Sequence, residues 1–409
     1  MELTLSERRV FTKATATRYG RSDRAGKKII LDELCASTGW HRDHARRVLR
    51  QSLVLRAVKA RPPRPPVYGD AVIDALRFCW AVQGTACGRL LAAALPDVVP
   101  RSRRLGELDV DDATAAALLR ISPATIDRRL KADRAKMDPR GRSHTKPGTL
   151  LKDSIPMRTW AEWNDAVPGF VEIDLVGHEG GNSKGEFCFT LDITDIATGW
   201  TETRSVRNKA QKWVFAAIKD ATAAFPFPIL GLDSDNGSEF INWELLRWCE
   251  QEKLTFTRSR SGNKNDGAHL EQKNWHIVRQ TVGYHRYDTA GELDLLNRIW
   301  MLQRLATNHF APQQKLISKE RHGSKLTKKY DKPSTPYQRV LADKGTVLKK
   351  TKTKLTRENK PLNPAAIQRQ IQALTAELLT LTTSKRGPKT QLAIRTESND
   401  SANQLSRTS

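Results

Sequence analysis

Two apolar runs, each leading to an acid, constrain this chain more than any other feature. Pro228-Ile229-Leu230-Gly231-Leu232 is short enough to be a buried strand. It continues as Asp233-Ser234-Asp235-Asn236-Gly237-Ser238-Glu239-Phe240, so Asp235 falls at the strand's carboxyl end, where open α/β sheets keep their sites. Upstream, Phe170-Val171-Glu172-Ile173-Asp174-Leu175-Val176 reads as a second strand, with Asp174 among apolar neighbours. Glu271 opens a helical stretch that runs on through Trp275, Val278 and Val282. Asp174, Asp235 and Glu271 are thereby expected to converge from two strands and a helix.

Three carboxylates at one point repel one another unless a cation neutralises them. Hard oxygen donors of this kind suit Mg²⁺ or Mn²⁺. A pair of such ions activates an attacking oxygen and stabilises the leaving oxygen of a phosphodiester. Any one of these acids alone reads as a solvated residue at the end of its element; the three together point to chemistry.

Thirty-five residues intervene between Asp235 and Glu271, and Ser234-Asp235-Asn236-Gly237-Ser238-Glu239-Phe240 surrounds the second acid. With the upstream strand acid Asp174, this resembles the D,D-35-E pattern of DDE recombinases of the retroviral-integrase catalytic-core superfamily, and in particular bacterial insertion-sequence transposases. The resemblance covers about residues 160 to 310. It implies a ribonuclease-H-like fold, metal-dependent 3′-end processing and strand transfer, double-stranded DNA as substrate and target, and a homo-oligomer working on that DNA. It also accommodates an accessory ATPase.

Charge separates along the chain in a way that suits such a partner. The net charge is +24 and the isoelectric point near 10.0, the balance of a protein that meets a polyanion. Residues 171–300 nevertheless hold 15 Lys and Arg against 19 Asp and Glu, a balance of −4 that leaves +28 for the rest. An acidic centre with cationic flanks is expected of a metal site between DNA-binding arms. The cysteines at 35, 79, 87, 188 and 249 form no CxxC pair and fit reduced, buried thiols. No zinc motif is visible, no apolar run reaches the length of a membrane span, and the N-terminus lacks an apolar signal core. A cytoplasmic, nucleoid-associated bacterial protein is the expectation.

The flanks read as helical DNA-binding units. In residues 1–60, apolar positions 30, 31, 34 and 35 recur at helical spacing, Gly39 supplies a turn, and His41–Arg50 forms a basic helix. Ala45, Val48 and Leu49 are expected to face inward and Arg42, Arg46, Arg47 and Arg50 to face a duplex, a helix-turn-helix arrangement. Arg61-Pro62-Pro63-Arg64-Pro65-Pro66 is a stiff linker. In residues 67–136, Ser122 as N-cap and Pro123 at the first helical position start a second recognition-like helix. Ile126 and Leu130 point to a core there, and Arg128, Arg129, Lys131 and Arg134 point outward. Residues 137–158 form a basic linker.

The core, residues 159–311, is expected as strands 169–176, 186–193 and 199–206, helix 208–223, strand 228–234, helix 240–251, strand 253–257 and helices 266–281 and 290–308, making a mixed five-stranded sheet with flanking helices. Asp192 and Asp195 rival Asp174 by position but are assigned to the turn after them. His178, four residues past Asp174, reads either as approaching the site or the DNA, or as a surface-loop residue. The Gly-rich cationic stretch 258–267 is expected to order on DNA or metal, with Arg258, Lys264 and Lys273 as phosphate contacts. Residues 312–383 form a basic extension. There Gly345-Thr346-Val347-Leu348 and the lysines after it suggest short strands or an extended arm, the family offers a small β-barrel, and 364–382 reads as a helix with Ile367, Ile371, Leu374 and Leu378 on one stripe. A disordered tail, 384–409, is expected to follow. The rival to a transposase is a DNA-binding regulator that kept only the helix-turn-helix units. Three intact acids count against it, and long basic flanks count against a ribonuclease H.

Overall fold

The computed structural model describes residues 5–52, 67–136, 167–234, 240, 242–258 and 274–385. Asp235, Lys264, Glu271 and Lys273, both proline and basic linkers and the tail beyond 385 lie outside the described residues. The chain divides into two units, Met1–Val67 and Tyr68–Ser409.

The first unit is built from α1 (Leu5–Arg21), α2 (Arg24–Thr38) and α3 (Arg42–Ser52). Asp23 begins α2 by accepting a hydrogen bond from the Gly26 N–H at 2.8 Å. Gly39 ends it at φ +69°, a left-handed position that glycine takes without a Cβ penalty. Ala16, Tyr19, Ile30, Leu31, Leu34, Ala45 and Leu49 make the core, whereas Val48, expected inside, is only half-buried.

The second unit opens with α4 (Asp70–Val82), α5 (Gly88–Arg104), α6 (Asp112–Arg120), α7 (Pro123–Arg129) and α8 (Lys131–Ala135). Ser122 caps α7 as its sequence suggests, accepting from the Thr125 N–H. Gly88 lets α5 start hard against α7: a Cβ there would stand 2.3 Å from the Pro123 carbonyl oxygen, and its N–H donates to Asp127 at 2.7 Å. Leu76, Leu91, Leu95, Leu118, Ile126 and Leu130 fill the space between these helices.

Then come β1 (Phe170–Gly177), β2 (Phe189–Asp195), β3 (Thr201–Val206), α9 (Gln211–Ala223), β4 (Gly231–Ser234), α10 (Trp243–Gln251) and β5 (Thr255–Arg258). They form one five-stranded sheet in the order β3-β2-β1-β4-β5. The β3-β2-β1 ladders are antiparallel, while β1-β4 and β4-β5 are parallel, as chain returning through α9 and α10 requires. The expected order of elements is therefore the observed one, with β2, α9, β4 and α10 each starting three residues later than anticipated. A π-helical stretch, Asn274–Arg279, continues into Gln280–Val282 and is followed by α11 (Ala290–Leu305).

The C-terminal extension departs from expectation. Among the described residues it holds one two-stranded ribbon, β6 (Leu316–His322) and β7 (Lys325–Tyr330), followed by α12 (Pro336–Ala342), α13 (Lys349–Asn359) and α14 (Pro364–Ser384), and no barrel. Lys349–Asn359, read as short strands or an arm, is a helix with only Leu355 and Asn359 buried, one turn apart. The turn before it closes because the Asp343 carboxylate accepts the N–H groups of Thr346 at 2.9 Å and Val347 at 2.8 Å. Val340, Val347 and Leu355 then join the core beneath the sheet. The α14 stripe packs within the chain: Ile367, Ile371 and Leu378 lie in one cluster with Leu295, Leu296, Ile299 and Trp300 of α11. Of the cysteines, Cys79, Cys188 and Cys249 are buried, and Cys87, expected inside, is exposed.

Candidate active site

Six acids stand on the strands of the sheet, and five of them are buried: Glu172, Asp192, Asp195, Glu202 and Asp233. Asp174, the sixth, is half-buried. It sits on β1 with its carboxylate accepting the N–H of Leu175 at 2.7 Å. In the parallel β1–β4 ladder the last matched pair is Ile173 with Ser234, the residues immediately before Asp174 and Asp235.

Asp195, Asp192, Asp233 and Glu202 have hydrogen-bond partners within the sheet and its turns. Asp195 accepts the N–H of Gly169 at 2.7 Å and both the N–H and the hydroxyl of Thr198, at 2.7 and 2.6 Å. Burial pushes its pKa up, and these donors oppose that push. It serves the turn, as anticipated. Asp192 does not: it lies inside β2, fully buried, and accepts from the Thr203 hydroxyl at 3.3 Å. Its ladder partner on β1 is Asp174, so the two carboxylates share one face of the sheet. Asp233 accepts from the Thr257 hydroxyl at 2.6 Å. Glu202 accepts from Trp200 Nε1 at 3.0 Å and pairs with Arg304 and, at 3.5 Å, Arg204.

His178 is not a surface residue. It is fully buried, and burial pushes its pKa down to about 3, so it is neutral. Its Nε2 lies 2.7 Å from the Thr190 hydroxyl, which lies 2.7 Å from that of Ser205, which accepts from Trp300 Nε1 at 2.7 Å. This chain of polar groups ties the residue just after β1 to β2, β3 and α11. Arg279 was not singled out from the sequence, yet it joins the segment after Glu271 to the end of β1. Its guanidinium is buried and donates to the Gly177 carbonyl at 2.8 Å. The available signal was a lone arginine between Ile277, Val278 and Val282, all of them buried.

Asp174 is the one member of the expected trio among the described residues, and no described group of three or more His, Cys, Asp or Glu gathers closely enough to hold an ion. The donor chemistry of Asp174 fits a hard divalent cation: a carboxylate with solvent access, on a strand whose other neighbours are packed.

The proposed DNA contacts are mostly surface residues, with exceptions. Arg50, Arg128, Arg129 and Lys131 are exposed. Arg47 is exposed and reaches His44 at 3.1 Å. Arg42 is paired with Asp32, and Arg46 with Asp43 at 2.9 Å. Arg134, expected to face out, is a structural tie instead. It bonds Asp127 at 2.5 Å and the Ala86 carbonyl at 3.0 Å, over the Trp80 ring. Arg258 is half-buried at the end of β5.

Comparison with known proteins places residues 164–264 in the integrase core domain family. The uncharacterized protein y4rM of Sinorhizobium fredii is 40% identical over 341 residues, 82% of this chain and 96% of that protein. Among solved structures, the catalytic core of BIV integrase is 16% identical, with 42% of this chain and 91% of that one covered and a TM-score of 0.28. The HTLV-2 integrase catalytic core, solved in complex with magnesium, is 14% identical, with 37% and 93% covered and a TM-score of 0.29. A simian T-cell lymphotropic virus intasome, solved with a PP2A regulatory subunit, is 12% identical, with 59% and 73% covered and a TM-score of 0.30.

Proposed function

The chain belongs to the integrase/transposase catalytic-core superfamily, and we propose that within it the protein is a DNA transposase that processes 3′ ends and joins them to target DNA. The observation that carries this reading is the placement of Asp174. It is the half-buried acid of a sheet whose other acids are buried, one residue beyond the final β1–β4 pair. Asp235 follows Ser234 directly in the sequence, and Ser234 is the residue that the ladder matches with Ile173. Glu271 precedes by three residues the stretch that Arg279 fastens to Gly177.

In this reading Asp174, Asp235 and Glu271 hold Mg²⁺ or Mn²⁺. Such ions supply charge neutralisation for a phosphodiester displacement. The chain's own work is positioning. The parallel ladder aligns Ile173 with Ser234, the residues just before the two acids, and the buried packing around β1 keeps Asp174 from turning away. The basic helical faces at Arg46–Arg50 and Arg128–Lys131 hold duplex ends through phosphate contacts, and the active form is a homo-oligomer on DNA. Release of a 3′-hydroxyl by water and its in-line attack on a target phosphodiester use the same aligned site, so orientation and charge stabilisation account for most of the rate.

A strand-transfer assay with candidate ends and Mg²⁺ or Mn²⁺ tests this. Asp174→Asn and Asp235→Asn keep side-chain size and remove a negative charge. Each is expected to lower strand transfer by at least about 10²-fold, the scale of losing one preorganised charge-stabilising group, with end binding retained. Normal transfer by either variant removes that residue from the site. A wild-type chain that binds ends and joins none is the regulator instead.

A further inference from the structure

We propose that the β6–β7 ribbon is a duplex-DNA-binding element whose Lys319, Arg321 and Lys328 neutralise backbone phosphates. The proposal deepens the transposase reading and rests on its substrate being duplex DNA.

The ribbon is unusual in what it lacks. Every residue of β6 and β7 is exposed except Ser318, which is half-buried. An isolated two-stranded hairpin is marginal in water, because it has no face to bury. This one is held at its root instead. Asp331 accepts the Lys315 N–H at 2.6 Å and pairs with Arg339 of α12 at 2.7 Å, while its own N–H donates to the Lys315 carbonyl at 2.9 Å. Gln313 and Ser334 exchange backbone hydrogen bonds just below. The tip closes over Gly323-Ser324, with Gly323 at φ +61°, as a two-residue hairpin loop favours. A fixed root and a tight tip thus project a ribbon of seven-residue β6, about 24 Å at ~3.4 Å per residue, with no core of its own.

Its charge says what meets it. Residues 316–330 contain five Lys and Arg against one Glu. The register puts Lys319 directly opposite Lys328, and Arg321 opposite Leu326, on one face. Glu320 falls on the other face, with His322 3.9 Å away. Like charges directly opposite each other destabilise a ladder. Arg321 and Lys328 have no ion-pair partner among the described residues. A face with three cations and no acid suits a polyanion, and a two-stranded ribbon matches the width of the DNA major groove, ~12 Å. Exposed Ile317, Leu326 and Tyr330 supply apolar contact beside the cations.

The test uses the full chain and the triple variant Lys319→Ala, Arg321→Ala, Lys328→Ala. Binding to a candidate-end duplex and to a random-sequence duplex is measured across a salt series. Each neutralised phosphate contributes about 0.9 to the slope of log affinity against log salt, so the variant's slope should be shallower by about two to three. Both duplexes should weaken alike, because phosphates carry no sequence. The melting temperature should stay as in the wild type, and Lys319→Arg with Lys328→Arg should keep the wild-type slope. An unchanged affinity and slope, with the wild type binding DNA, overturns the ribbon's role and leaves the transposase reading intact. Unchanged DNA binding with an altered mass of the free protein overturns it in favour of contact between copies. A wild type that binds no duplex removes the DNA reading itself, and this proposal with it.

Discussion

Glu202 in the sheet and Arg128 on the second helical unit both carry charge, but under opposite conditions. Glu202 is fully buried and is held by Trp200, Arg304 and Arg204. Arg128 is exposed, with one 3.2 Å hydrogen bond to Thr125 of its own helix. Removing an exposed charge costs a fold little, whereas removing one partner of a buried pair costs much. The charges of the sheet are therefore largely explained by the fold. Among the basic surfaces, Arg42, Arg46 and Arg134 have acid partners, whereas the exposed Arg128 and Arg129 are held by single hydrogen bonds. Asp174 is the exception among the sheet's acids: it is half-buried where the other five are buried.

The sharpest break of this contrast is Arg304→Ala. It leaves Glu202 buried with its closest cation gone, and burial already pushes that carboxyl's pKa up. The expected loss is about 3 kcal/mol, at the low end for a broken buried pair because Arg204 remains. Chemical denaturation measures it. Replacing both partners, Glu202→Leu with Arg304→Met, should recover most of that loss. A cost below about 1 kcal/mol for Arg304→Ala would mean that the sheet's charges are as dispensable as surface ones.

A smaller effect comes from the sheet's buried histidine. His178 has its pKa pushed down to about 3 by burial, from an ordinary value of 6.5. Between those values the unfolded chain binds a proton that the folded chain refuses. Stability is therefore complete above about pH 6.5 and falls as pH drops below it, by up to about 1.4 kcal/mol per unit from this group. His309, pushed down to about 4 by its own burial, adds in the same direction over a narrower range. His178→Gln should make the fall of melting temperature between pH 7 and 5 shallower. An identical pH dependence in the variant would show that His178 becomes protonated in the folded state.

Much of the sheet was legible from the sequence because its strands are short apolar runs punctuated by turns, and β1 and β4 are of that kind. The acids on those strands were legible too, being the polar residues inside apolar runs. What could not be read was partnership across distance. That Asp192 faces Asp174 depends on the β1–β2 register, and that His178 is internal depends on Thr190 and Tyr287 closing over it. Lys349–Asn359 alternates Lys and Thr like a strand, and its helix exists because Leu355 and Asn359 pack beneath it. Arg134 looked like its exposed neighbours until Asp127 and Ala86 claimed it. Local pattern finds elements, whereas remote packing decides which charged side chains are left for function.

The smallest effect on the fold, and the one that tests the flank side of the contrast, is Arg128→Ala combined with Arg129→Ala. Both side chains are exposed. Arg129's contact beyond α7 is a 3.5 Å approach to the Tyr68 carbonyl, and the buried residues that anchor this segment are Ile126 and Leu130. The double variant should keep its stability within about 0.5 kcal/mol, as surface substitutions do. Its binding to candidate ends should weaken, and the salt slope should flatten by about one to two, for one or two phosphates no longer neutralised. A variant that unfolds would make these arginines structural, like Arg134, and would move the second helical unit to the sheet's side of the contrast. A variant that binds with unchanged affinity and slope would mean that this unit does not read DNA. End binding would then fall to residues 27–50 or to the C-terminal ribbon, whose own slope change would be measured in the same titration.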